Sequence, residues 1–190
     1  MLKKSFIVYT VFLMLAQIIP ADAITRQQYA HNLASQAEKM SKQKGKEYLA
    51  ISYINEAIKA QPQNLQYRYK RAFILGRARL YEEAIREFTR MMSQRGGPHA
   101  VRFRADGYMA LGDMKSAARD YNSFLKKDPG DGKVWSYLVE ALALMGNRQA
   151  ALEAASKGLG TGSHWSKRLQ TLQQQVLMVQ QITPHKPFSN

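Results

Sequence analysis

The chain has 190 residues, no cysteine and a formal net charge of +14, which comes from 28 Lys and Arg against 14 Asp and Glu. The absence of cysteine excludes disulfide bonds, a cysteine nucleophile and a cysteine-linked lipid anchor. The length suits one domain better than two independent cores, and the cationic surplus favours encounter with anionic partners.

Residues 1–23 have the pattern of a secretory signal. Lysines at positions 3 and 4 precede a mostly apolar run over residues 6–19, and the small-x-small triplet 21–23 supplies a cleavage site. The run is shorter than the ~20 residues that a membrane span requires. We therefore predict a cleaved signal and an exported mature chain that begins at Ile24 and has no transmembrane span. The short charged start resembles bacterial signals and indicates the periplasm; an uncleaved anchor is the alternative.

A tight turn followed by a buried-type alanine recurs four times in the rest of the chain. The alanines are Ala50, Ala84, Ala117 and Ala151, so their separations are 34, 33 and 34 residues. This period is typical of stacked helical hairpins, in which each unit buries its apolar face against its neighbours. No run of alternating apolar residues indicates a strand. We predict an all-α fold. Its repeats cover about 31–64, 65–97, 98–131 and 132–164.

The third repeat carries the fullest pattern. Its matching residues are Ala105, Tyr108, Leu111, Gly112, Asp113, Ala117, Tyr121, Asp128 and Pro129. The pattern resembles the tetratricopeptide repeat, a family of helical-hairpin solenoids. The resemblance implies a right-handed solenoid of about four repeats over residues 24–182 that binds another protein. Glu38 departs from the pattern where a small residue is expected, and Gly96-Gly97 ends the second repeat without the proline.

Basic residues are concentrated in the second repeat and the start of the third. The arginine belt, as we call this set, consists of Arg68, Lys70, Arg71, Arg77, Arg79, Arg86, Arg90, Arg95, Arg102 and Arg104. Arginine favours bidentate pairing with carboxylate or phosphate. The belt therefore suits an acidic protein segment or, alternatively, an anionic envelope polymer such as a polysaccharide. A solvated basic surface without a partner is the plainer explanation.

The family resemblance also implies a binding groove lined by the first helix of each hairpin. By register, the candidate groove residues are Tyr69, Phe73, Arg77, Arg102, Asp106 and Met109. Apolar anchors with a basic rim suit a protein or peptide partner that carries apolar and acidic residues. The alternative is that Tyr69 and Phe73 belong to the core between repeats.

Catalytic and cofactor signals are absent from the sequence. The four histidines are scattered without metal-ligand spacing. The glycine-rich stretch 158–163 lacks the lysine of a phosphate-binding loop and follows a predicted helix, so it indicates a helix end. No nucleic-acid-binding signature is present. We expect no enzymatic activity, no cofactor, no metal and no nucleic-acid partner.

The carboxy-terminal region is predicted to be a capping helix over about 165–182. Its apolar stripe consists of Trp165, Leu169, Leu172, Val176 and Val179. Solenoids need such a cap, although the same spacing fits a docking or dimerising helix. Residues 183–190 contain two prolines and are predicted to be a flexible tail. The expected role is that of an exported scaffold or adaptor of the cell envelope; pilus, secretion and surface-polysaccharide machineries use such modules.

Overall fold

The computed structural model describes residues 25–93, 97–179 and 181–188, and within these ranges it contains nine helices and no strand. The helices are α1 (Arg26–Ser41), α2 (Glu47–Ala60), α3 (Leu65–Arg77), α4 (Tyr81–Ser93), α5 (Gly97–Leu111), α6 (Met114–Leu125), α7 (Gly132–Leu144), α8 (Arg148–Leu159) and α9 (Ser166–Leu177). The predicted all-α fold is confirmed. The predicted signal peptide lies outside the described residues. No described helix combines the length and the apolar character needed to cross a bilayer.

The helices pack mainly against their neighbours in chain order. Four hairpins result, α1–α2, α3–α4, α5–α6 and α7–α8, and α9 packs on α7 and α8. The first helices of the first two hairpins, α1 and α3, also touch each other. This is the contact pattern of a solenoid, in which each unit is held by the units beside it.

Glycine and a short polar side chain separate the two helices of the later hairpins. Gly112 and Gly146 have φ values of 81° and 76°, a left-handed conformation that glycine adopts without steric penalty. The next residue in each case, Asp113 or Asn147, caps the following helix. Its side chain accepts a hydrogen bond from the backbone N–H three residues later, at 3.0 Å and 3.3 Å respectively.

The recurring alanines lie where helices meet. Ala50, Ala84, Ala117 and Ala151 all have 0% exposure, which allows the helix axes to approach closely. Larger side chains fill the spaces between these contacts. Phe88, Tyr121, Leu138 and Leu169 are among the largest of them and are likewise buried.

The capping helix is shorter than predicted. It ends at Leu177, and Val179 follows with a φ of 54° and 77% exposure. Leu169, Leu172 and Val176 are buried against the stack as expected. Val179 does not belong to this stripe, because the left-handed turn carries it away from the helical register.

Candidate functional site

The described carboxy-terminal segment, residues 181–188, lies against the solenoid. It contacts a strip of α3, α5 and α7 and the start of α4, together with Tyr121 of α6 and Arg168 of α9, which we call the groove. Ile182, His185 and Phe188 face the protein, whereas Thr183 and Lys186 are exposed. The three inward residues are three positions apart, the period of a polyproline II helix. Two side chains of residues 183–188, those of His185 and Phe188, thus contact the solenoid, and the flexible tail predicted over residues 183–190 stays a prediction.

His185 is the first anchor. Its ring stacks on Tyr137 with centroids 3.7 Å apart and an interplanar angle of 12°. Its Nδ1 lies 2.8 Å from Glu140 Oε2, and its backbone N–H donates to the same oxygen at 2.8 Å. On the other side of the ring, Nε2 lies 3.6 Å from Asp106 Oδ1. The imidazole is thus held between two carboxylates and one aromatic face.

The surroundings of this anchor are buried and nearly charge-balanced. Glu140 has 0% exposure, and its Oε1 accepts a hydrogen bond from the Arg168 guanidinium at 2.6 Å. Asp106 is 7% exposed and accepts a hydrogen bond from the Tyr121 hydroxyl at 2.6 Å. The cluster therefore contains two carboxylates and one arginine, which is bonded to Glu140. A protonated imidazole supplies the second positive charge that a buried cluster of this kind requires.

The pKa values of these groups reflect the balance between burial and the neighbouring charges. Burial opposes protonation of His185, but its interactions with Asp106 and Glu140 outweigh burial and raise the pKa of His185 above its ordinary value. Burial likewise acts to raise the pKa of Glu140, but hydrogen bonds from His185 and Arg168 outweigh it and lower that pKa. Burial, followed by the nearby Asp106 charge, raises the pKa of Tyr137 to about 12.

Phe188 is the second anchor. It is 9% exposed, and its ring stacks on Tyr81 at 6.2 Å and meets Phe73 edge-on at 6.0 Å. The ring lies directly over Gly76, where an added Cβ would be 2.5 Å from Phe188 Cδ1. Arg77 Nε donates a hydrogen bond to the Phe188 carbonyl oxygen at 3.3 Å. The absence of a side chain at Gly76 therefore creates the seat for this ring.

Three of the predicted groove residues contact the segment. Phe73 and Arg77 contact Phe188, and Asp106 faces His185. These residues come from α3 and α5, two helices that the register assigns to the groove.

The other three predicted residues have different surroundings. Tyr69 is half-buried, with its ring centroid 6.3 Å from those of both Phe88 and Phe103. The Arg102 guanidinium lies 4.0 Å above the Phe103 ring. Met109 is 6% exposed within the core cluster, so it offers no free surface to a partner, and we remove it from the candidate site. Phe73 also meets Phe88 and Phe103, at 5.8 Å and 4.6 Å, and therefore serves the core and the groove together.

Several groove residues were not among the predicted ones. They are Gly76, Tyr81, Tyr121, Tyr137, Glu140 and Arg168, together with His185 and Phe188 of the segment itself. Two of them had a signal in the sequence. Gly76 lies inside a helix, where glycine is about 1 kcal/mol less favourable than alanine. Glu140 is the acidic residue in the otherwise apolar second half of α7, and such a residue usually has a partner.

The arginine belt is largely engaged in ion pairs. Arg71 donates to Glu87 at 2.5 Å, and Arg104 donates to Asp120 through two nitrogens at 2.6 Å and 2.9 Å. The two pairs occupy equivalent positions 33 residues apart. The same kind of ion pair therefore joins the two helices of the second hairpin and those of the third. Glu87 is also approached by two further arginines, Arg68 and Arg90 being 3.5 Å and 3.4 Å away.

The groove continues beyond Phe188 towards α1. A cavity of about 150 Å³ adjoins this ring, and its lining residues are Glu38, Ser41, Lys70, Phe73, Ile74 and Arg77. Lys70 forms an ion pair with Glu38 there. In the ranges that the structure describes, no cluster of His, Asp and Glu has an arrangement that could hold a metal ion.

Comparison with known proteins gives one family and a common fold. The family model described as "Bacterial transcriptional activator domain" matches residues 75–177. The match ends at the last residue of α9, so the segment 181–188 lies outside it. Among curated proteins, no sequence matches the chain.

Solved structures with the same fold include two of MamA and one of a tetratricopeptide repeat protein. The MamA RS-1 ArsTM double mutant is 13% identical, with a TM-score of 0.63 over 82% of this chain and 95% of that one. MamA 41-end from Desulfovibrio magneticus RS-1 is 14% identical, with a TM-score of 0.63 over 82% and 96%. The protein from Parabacteroides merdae is 19% identical, with a TM-score of 0.66 over 80% and 61%. At these identities the likeness shows the tetratricopeptide-repeat fold alone.

Proposed function

The chain belongs to the bacterial transcriptional activator domain family, and from this premise, together with its tetratricopeptide-repeat fold, we propose that it is a protein-interaction scaffold. It binds an extended segment of a partner in the groove and catalyses no reaction. The observation that carries the proposal is that the groove already holds such a segment. Residues 181–188 of the same chain lie in it, anchored through His185 and Phe188.

The contacts to this segment include backbone as well as side-chain groups. The carbonyl oxygens of Thr183 and Phe188 accept hydrogen bonds from Arg168 and Arg77, and the N–H of His185 donates to Glu140. Backbone bonds of this kind are available to any extended chain, whereas pockets for particular side chains give selectivity. The groove therefore has both elements that recognition of a peptide requires.

The prediction of a partner with acidic and apolar residues fits the end of the groove at Gly76. An aromatic side chain suits the seat over Gly76. Acidic residues beyond it in the partner would approach Lys39 on α1, Lys42 just after it and Lys70 on α3, which line the neighbouring cavities. Around His185, by contrast, the groove contains the buried carboxylates of Asp106 and Glu140, where a further acidic side chain would be repelled.

Binding of an anionic polymer is the weaker alternative. Several arginines of the belt are directed at Glu87 and Asp120, so these guanidinium groups are already engaged within the protein, although three of them share the single charge of Glu87. For the same reason we do not extend the family description to binding of nucleic acid by this chain. The remaining positive surplus affects encounter rates more than it defines a site.

We further propose that the scaffold acts in the bacterial cell envelope, after export to the periplasm. The support is the signal pattern of residues 1–23. Pilus, secretion and surface-polysaccharide machineries are the candidate contexts. Amino-terminal sequencing of the protein from the periplasmic fraction is expected to begin at Ile24. Recovery of a membrane-bound product that begins at Met1 would contradict export as a cleaved protein.

Site-specific crosslinking in cells tests the scaffold role. A photoreactive phenylalanine is placed at Arg102, beside the groove, or at Tyr48, which is 73% exposed on α2 and outside the groove. A specific partner is expected to crosslink at position 102 and not at position 48. Equal crosslinking at both positions, or none at 102, would contradict a partner in the groove.

A further inference from the structure

We propose that the groove is specific for an extended segment in which a cationic or imidazole side chain precedes an aromatic one by three positions, and that residues 185–188 are a resident competitor for that segment. The inference rests on the proposed function only in assuming that a partner segment enters the groove. The partner is thus a protein segment with a basic and an aromatic anchor at this fixed spacing.

The first part of the argument is the charge at the His185 position. Glu140 is fully buried, and one of its oxygens is bonded to Arg168 while the other faces the segment. Asp106 approaches the same imidazole from α5 at 3.6 Å. A second cation completes this balance, and the Tyr137 ring beneath offers a flat face suited to an imidazole or guanidinium group. An acidic or aliphatic side chain satisfies neither requirement.

The second part is the shape at the Phe188 position. The three heavy atoms nearest to a Cβ built on Gly76 all belong to the Phe188 ring. Gly76 has no left-handed backbone to explain its presence, because it lies within α3 and its φ is not positive. The glycine is therefore explained by the ring that covers it. Tyr81, stacked on that ring at 6.2 Å, closes the other side of an aromatic slot.

The third part is that the resident segment is displaceable. Other side chains of the segment, at Thr183, Pro184 and Lys186, are exposed. The inward side chains of Ile182, His185 and Phe188 and a few backbone groups make the contacts described above, and another chain can present the same groups. The resident segment has the advantage of a high effective concentration, of the order of millimolar for a short tether. A free peptide of equal intrinsic affinity is therefore held off until the resident anchors are removed.

Fluorescence anisotropy on the full chain tests this prediction. The probe is a labelled peptide with the sequence of residues 181–188. The acceptors are the unchanged chain, the double variant His185→Ala/Phe188→Ala, and the control Thr183→Ala, which alters an exposed side chain of the same segment. The double variant is expected to bind the probe at least tenfold more tightly than the unchanged chain, and Thr183→Ala is expected to bind like the unchanged chain.

Competition and a blocked groove test the specificity. Unlabelled peptides with His185→Ala or Phe188→Ala should compete at least tenfold less well than the parent peptide, and His185→Asp should compete worst. Adding Gly76→Ala to the double variant should abolish probe binding while leaving helicity by circular dichroism unchanged. If the double variant loses helicity, Phe188→Ala alone serves as the acceptor.

Four results would overturn the inference. One is a folded double variant that does not bind the probe, and another is unchanged probe binding with Gly76→Ala. The third is an unchanged chain that is dimeric by light scattering and becomes monomeric with Phe188→Ala, because the segment would then fill the groove of a second copy. A partner crosslinked at position 102 through a segment without the two anchors would sink this inference and leave the scaffold role intact. Probe binding as expected, without any crosslinked partner, would support the specificity of the groove and contradict the scaffold role.

Discussion

At the residue scale, protonation of His185 links docking of the segment to pH. The groups that face the imidazole are Asp106, Tyr121, Tyr137 and Glu140, with Arg168 on the far side of Glu140. The raised pKa of His185 means that the docked form holds its proton more tightly than the released form. Its contribution to docking is therefore complete below pH 6.5, the ordinary value, and is lost as pH rises through the raised pKa.

The predicted result is a pH-dependent difference in stability between the unchanged chain and His185→Ala. That difference in the free energy of unfolding, measured with urea, should be larger at about pH 5.5 than at about pH 8.5. The lowered pKa of Glu140 sets the acidic end of the pH range in which the segment is stabilised. The contribution of Glu140 is present above pH 4.5 and is lost as pH falls through the lowered pKa. A difference that is constant or grows with pH would contradict a protonated imidazole between the two carboxylates.

A second residue-scale prediction concerns the buried alanines. Ala117 has no exposed surface where α6 meets its neighbours, so Ala117→Leu should overpack the contact and lower the free energy of unfolding by about 1–3 kcal/mol. Ser123→Leu, at an exposed position of the same helix, is the matched control and should change stability by less than about 0.5 kcal/mol. Equal melting temperatures for both variants and the unchanged chain would contradict close helix packing at Ala117.

At the element scale, the bidentate pair of Arg104 and Asp120 joins α5 to α6. Asp120 is 3% exposed, so Asp120→Ala leaves a half-buried guanidinium without its carboxylate partner and should lower stability by about 3 kcal/mol. The fourth hairpin has Leu138 and Ala154 at the equivalent positions, 34 residues later. The double variant Arg104→Leu/Asp120→Ala should therefore be more stable than Asp120→Ala by at least about 1 kcal/mol. Additive losses in urea titrations would show that the pair is not coupled.

The capping helix gives a second prediction at this scale. Leu172 lies on the buried face of α9, and Leu172→Ala should destabilise the cap by about 2–5 kcal/mol. Because repeats are held by their neighbours, hydrogen exchange should accelerate in α8 and α9 much more than in α1 and α2. Leu177→Ala, at a half-exposed position of the same helix, should have little effect. Uniform acceleration along the whole chain would indicate one cooperative unit rather than a stack.

At the scale of the whole molecule, the architecture could be predicted because its determinants are local and recur. The alanine period, the glycine turns at 112 and 146 and the caps that follow them each act within a few residues. Four repetitions of one such signal fix the number and order of the hairpins. The end of α9 was harder to place, because a turn at Val179 is not marked by a glycine or a proline.

The groove could be predicted only in part, because it is completed by contacts that are distant in sequence. Register identified Phe73, Arg77 and Asp106, which lie on α3 and α5. It gave no reason to expect that His185 and Phe188 would cover them, since two prolines and the lack of a helical pattern favour a loose tail. Met109 shows a second limit of prediction from register. Register assigns a residue to a helix face, but the burial of that residue depends on what packs against the face.

The hydrogen bond between Arg77 and the backbone of Phe188 joins positions that are 111 residues apart. An open array of repeats loosens from its ends, because each unit is held only by its neighbours. Here the far end of the array is tied back to its second hairpin, so fraying of α9 is coupled to departure of the last residues from α3. A ligand that takes their place thereby removes a closing link as well as occupying a surface. On the proposed exchange of segments, binding a partner therefore opens the array at the end that residues 185–188 had tied back.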